Sequence, residues 1–75
     1  MPELRKVSGR EAVRALERLG FRRLLQRGSH TILVRQTAQE RTGCVVPMHR
    51  ELKIGTLKGI LRQARVGADE FLRAL

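Results

Sequence analysis

The sequence predicts a small α+β fold in the order α-β-β-β-α, closed by a short C-terminal helix. Three observations predict it. An S-x-x-E pattern at Ser8 and Glu11 opens a run of apolar residues at helical spacing. Three short β-prone runs follow, parted by Gly28-Ser29 and by the polar stretch Thr37 to Thr42. A second helical stripe, Leu57, Ile60, Leu61 and Ala64, comes after them. Three antiparallel strands with the helices on one face satisfy the rule that each layer buries its apolar side against another. With 75 residues, a single domain over 1–75 is expected.

The first six residues lack periodicity and read as a tail or lead-in. Ser8 is the expected N-cap of the first helix, with Glu11 completing a capping box and Val7 and Ala12 at the two positions of a hydrophobic staple. Ala12, Val13, Leu16 and Leu19 form the core stripe, and Gly20 is the stop signal. The opposite side carries Arg10, Arg14 and Arg18 at i, i+4, i+8, a pattern open to a solvated face or to a stripe that meets RNA or a protein partner. Phe21 to Arg27 is the first strand candidate. Its imperfect alternation calls for a bulge or an early start. Gly28-Ser29 is a tight turn, and His30 to Gln36 is the second strand. Alternation sets His30 with Ile32 and Val34, and Thr31 with Leu33 and Arg35, and apolar residues on both sides leave the face of His30 open.

Gly43 to Val46 is the third strand, ended by Pro47, and Met48 to Ile54 is a charged connector. Gly55-Thr56 opens the second helix with Thr56 as expected N-cap, and Gly67 ends it. Gly59 weakens this helix by about 1 kcal/mol relative to Ala, and permits another backbone to come close. Ala68 to Leu75 is the short final helix, with Phe71, Leu72 and Leu75 packing back.

Composition narrows the function. Sixteen Lys and Arg against seven Asp and Glu give a net charge of +9, which points to a polyanionic partner. Thirteen of the sixteen are Arg, whose planar fork suits phosphate. No run approaches the roughly 20 apolar residues of a membrane span, and no secretory pattern is seen at the start. One Cys, Cys44, cannot form an internal disulfide and fits a reducing cytoplasm, where it reads as a small buried residue. No zinc spacing, Walker pattern or dinucleotide motif is present, so neither a metal nor a cofactor is expected. Phe21 and Phe71 are the only aromatics and sit at apolar positions, so there is no stacking platform for bases.

The chemistry therefore rests on His and Arg. Transesterification of RNA by its own 2′-hydroxyl needs a base, an acid and positive charge at the phosphate. An imidazole with an ordinary value near 6.5 serves either proton role. His30, placed by a Gly-Ser turn at the start of a strand, is the first candidate, and His49 is the second. Arg27 and Lys53 are candidates to neutralise phosphate, and the start of the second helix, with Lys53, Gly55, Thr56 and Lys58, is a candidate anion site.

Gly20-Phe21, Arg27-Gly28-Ser29-His30, Val46-Pro47-Met48-His49, Leu52-Lys53-Ile54-Gly55-Thr56-Leu57, Ile60-Leu61 and Glu70-Phe71 occur in this order. Over about residues 8–72 the chain resembles the HicA (YcfA-like) family of mRNA interferase toxins. The resemblance implies a fold similar to the double-stranded-RNA-binding domain and a cytoplasmic endoribonuclease that degrades mRNA. It also implies a HicB-type antitoxin that masks the active site. The family's catalytic histidine follows the Gly-Ser pair and corresponds here to His30. The family pattern also marks His49 without assigning it a role. Gly28 and Ser29 carry over as the turn beside the site. Two other functions fit the charge: an RNA-binding module without catalysis, and a domain that meets an acidic protein.

Overall fold

The computed structural model describes residues 3–75. The expected tail, residues 1–6, thus lies partly outside the described residues, but the chain is anchored from Leu4 to Val7. Val7 is buried, Leu4 packs against the core, and the Leu52 N–H donates to the Val7 carbonyl at 2.7 Å. The elements are α1 (Gly9–Arg18), β1 (Arg22–Arg27), β2 (His30–Gln36), β3 (Arg41–Pro47), α2 (Ile54–Ala64) and α3 (Ala68–Ala74).

Helix α1 starts as expected. The Glu11 N–H donates to Ser8 Oγ at 3.0 Å, and the Ser8 N–H donates to the Glu11 carboxylate at 2.8 Å. These reciprocal bonds satisfy two donors that a helix start leaves free. The same Ser8 N–H, with help from the Ser8 hydroxyl and Arg5, holds the Glu11 carboxyl below its usual range. Ala12, Val13, Ala15 and Leu16 are buried, and Gly20 turns the chain at φ +98°.

The sheet is antiparallel in the order β1-β2-β3. β2 and β3 pair without a break from His30↔Pro47 to Gln36↔Arg41. The β1–β2 register shifts between Arg23 and Leu25, so Leu24 is the bulge that the broken alternation implied. β3 begins two residues earlier than Gly43. The hairpin loop is Thr37–Glu40, held by the Thr37 N–H on the Glu40 carbonyl at 2.8 Å. With that bond made, Arg41 and Thr42 are free to pair with Gln36 and Arg35.

Thr31, Leu33, Thr42, Cys44 and Val46 point to one face and are buried beneath α1 and α2, with Leu16, Leu57, Ile60, Leu61 and Phe71 in the same core. Burial pushes the Cys44 thiol up to about 11, which keeps it protonated and poorly nucleophilic near neutrality. The opposite face carries Leu25, Ile32, Val34 and Val45, and Val45 remains 39% exposed. His30 shares this open face, because it alternates with the buried Thr31.

Helix α2 departs from expectation at both ends. Its N-cap is Lys53, without a side-chain hydrogen bond, and the first helical bond runs from the Leu57 N–H to the Lys53 carbonyl at 2.9 Å. Thr56 lies inside the first turn and is not the cap. The half-buried Ile54 extends the apolar stripe one turn before Leu57, and its packing outweighs the capping preference of Thr56. The helix ends at Ala64, with Arg65 left-handed at φ 57°. Gly67 does not end α2; it caps α3, where its N–H donates to Glu70 at 3.3 Å. Of the residues expected to pack back, Phe71 is fully buried and Leu75 touches the core, while Leu72 is half-buried.

Candidate functional site

The site is built at the Gly28-Ser29 turn. Gly28 has φ +55°, a backbone that a Gly-first two-residue hairpin requires and that other residues adopt at a cost. This turn sets Arg27 and His30 directly opposite each other across β1 and β2. On its other side His30 pairs with Pro47. The Met48 N–H donates to the Ser29 carbonyl at 2.6 Å, which fastens the turn to the connector after β3.

The connector is fastened in turn to α1. The Gly9 N–H donates to the His49 carbonyl at 2.8 Å. A Cβ on Gly9 would collide with the Pro47 carbonyl oxygen and stand 2.8 Å from Met48 Cα. Sequence reading assigned Gly9 no role. Its signal is a contact between residues nearly forty positions apart, and local patterns do not carry it.

His30 is exposed and lines a groove of about 400 Å³ with Val45 and Pro47 of β3 and Thr56, Gly59 and Gln63 of α2. Ile60 and Arg62 complete it. Among the described residues, no carboxylate lines the groove. The seven acidic residues are engaged elsewhere: Glu17, Glu40, Glu51 and Asp69 in ion pairs, Glu11 and Glu70 at helix starts, and Glu3 beside Leu4 and Val66. Among the described residues, Arg27, Lys53 and Arg62 take part in no ion pair. Of these, Arg62 lines the groove, and its uncompensated positive charge suits an anion.

The sequence candidates divide in space. His30 and Thr56 line the groove, while Arg27, paired with His30, and the Gly28-Ser29 turn stand next to His30 along the chain and the sheet. Lys53 and Gly55 stand within the turn of α2 that precedes Thr56. Two candidates lie apart. Lys58 faces a larger cavity with Leu4, Ile54, Leu61 and Val66, and His49 lines a separate notch with Ser8, Arg10, Met48 and Arg50. The Arg stripe of α1 is also divided, since Arg18 donates to the Ala74 carbonyl at 2.7 Å and ties α1 to α3. Gly59, Arg62 and Gln63 are groove residues that the sequence reading did not place at the site. Among the described residues, no group of His, Cys, Asp and Glu is arranged to hold a metal. Nor, among the described residues, is any helix long and apolar enough to cross a membrane.

The sequence that builds this fold matches a known family. Residues 9–66 match the family model of the HicA toxin of bacterial toxin–antitoxin systems. The chain is therefore a toxin of that class of two-protein systems, whose partner is an antitoxin. Within the class, it belongs to the HicA toxin family. No curated protein matches the chain.

Proposed function

We propose that this toxin is a metal-independent mRNA interferase with His30 as its general acid or base. In the cleavage step, the 2′-oxygen of one ribose attacks the adjacent phosphorus as its proton leaves, and the bond to the 5′-oxygen of the next nucleotide breaks. The products are a 2′,3′-cyclic phosphate and a 5′-hydroxyl. His30 takes the first proton or delivers the one the leaving oxygen needs. Such assistance is worth about 100- to 10,000-fold in rate. Arg27, across the strand pair from His30, and Lys53, at the start of α2, neutralise the phosphate. Gly55 and Thr56 present the first turn of α2 to it.

The observation that carries this reading is the position of His30: exposed, in a groove without carboxylates among the described residues, with Arg27 opposite. The antitoxin is of the HicB type and covers this groove, and the site of action is the cytoplasm. A second reading, an RNA-binding module without catalysis, is favoured by one feature. His49 lies in a different notch, so the groove holds a single imidazole.

Long unpaired RNA incubated with the protein in EDTA tests the proposal. The expected result is fragments ending in 2′,3′-cyclic phosphate. Intact RNA that is nevertheless bound would move the assignment to the binding module.

A further inference from the structure

Gly59 is costly where it stands. It is the sixth residue of α2, in the helix interior, where Gly is among the worst helix formers. Packing does not require it, since a Cβ built there meets nothing within 4 Å. Its backbone conformation does not require it either, being helical with negative φ. By contrast, Gly9 is accounted for by a backbone contact and Gly28 by its positive φ. What Gly59 does have is a place on the wall of the His30 groove. Thr56 and Gln63 flank it at i−3 and i+4, on the same side of the helix. Gln63 is exposed, and among the described residues its amide makes no hydrogen bond.

We infer that Gly59 is a gap through which the ribose–phosphate backbone of unpaired RNA approaches α2, with Gln63 at its edge to hydrogen-bond a base. The inference rests on the ribonuclease reading and names how the substrate lies in that site. Three features point to RNA as the occupant. The groove's lining includes Arg62, which among the described residues is in no ion pair. It holds no carboxylate among those residues, and its apolar members Val45, Pro47 and Ile60 suit a sugar or base face. Sequence-selective recognition of RNA commonly uses unpaired stretches whose base edges are free, and a glutamine amide offers both a donor and an acceptor.

The test separates stability from binding. Gly59→Ala and Gly59→Leu are made in the wild-type protein and in a His30→Ala background that keeps RNA intact. Melting temperature and the Kd for a fluorescent unpaired RNA are then measured. Gly59→Ala is expected to raise Tm by about 4–8 °C, because a better helix former enters open space. It should also weaken RNA binding by about 10-fold, and Gly59→Leu by about 100-fold. Gln63→Ala should change which sites are cut while leaving Tm within about a degree. Binding within twofold of the parent in both Gly59 variants overturns the inference, and leaves the ribonuclease reading standing if wild type cleaves. Loss of affinity for a co-purified acidic protein with unchanged RNA binding also overturns it, since the occupant is then the partner. Wild type that neither binds nor cuts RNA overturns both readings together.

Discussion

Helices α1 and α2 meet the rest of the molecule in opposite ways, and a glycine marks the difference in each. At the start of α1, Gly9 is pressed against the Pro47 and Met48 backbone, Ser8 and Glu11 close the helix end, and the Gly9 N–H is bonded to the connector. Along α2, Gly59 faces open space, and the helix start lacks a side-chain cap. One end is closed by packing, and the other is left open beside His30. Two glycines of similar intrinsic cost thus have different explanations: a neighbour within the chain accounts for the first, and none accounts for the second.

Adding one methyl group to each glycine sharpens this contrast most. Gly9→Ala should destabilise the fold by about 2–3 kcal/mol, because the methyl strikes backbone that can only move by displacing the connector. Gly59→Ala should stabilise it by about 1 kcal/mol. Urea unfolding of the two variants checks the opposite signs, and equal signs would break the comparison.

Ser8→Ala comes next. It should cost about 1 kcal/mol through loss of the cap that closes α1. The same bonds predict a pH dependence. The Glu11 carboxyl is held below its ordinary 4.5 in the folded state. Its contribution is therefore complete above that value and is lost as pH falls through the lowered one. Glu11→Gln should flatten that part of the acid limb in urea midpoints taken from about pH 6 to pH 3.

The smallest effect is at the far end of α2. Arg65→Gly removes the left-handed cost of a side chain, on the order of 1 kcal/mol, and gives up the exposed Arg65–Glu40 pair at 3.2 Å. A net gain of about 0.5 kcal/mol in unfolding free energy, read as a higher urea midpoint, is expected.

What could be read from the sequence was local. The capping box of Ser8 and Glu11, the turn at Gly28 and the span of β2 each depend on residues a few positions apart, and the structure has them where the pattern places them. The start of α2 was misplaced because Thr56 has a capping preference of its own, while the packing of Ile54 belongs to the tertiary structure. The face of His30 was not legible from β2, where Ile32, Leu33 and Val34 are all apolar. Burial of Leu33 with Cys44 and Val46 decides it, and that depends on pairing with β3. The groove joins His30 to Gly59 and Gln63 from about thirty positions away, beyond any local pattern. Composition likewise offers His49 as a companion to His30, but the connector turns it into the notch beside Arg10.

The central claim is that His30 makes the open end of this toxin a ribonuclease. Single-turnover cleavage of unpaired RNA in EDTA, by wild type and by His30→Ala of equal melting temperature, tests it most directly. The account predicts a rate lower by at least about 100-fold in His30→Ala with RNA affinity nearly unchanged. Equal rates in the two proteins would contradict it.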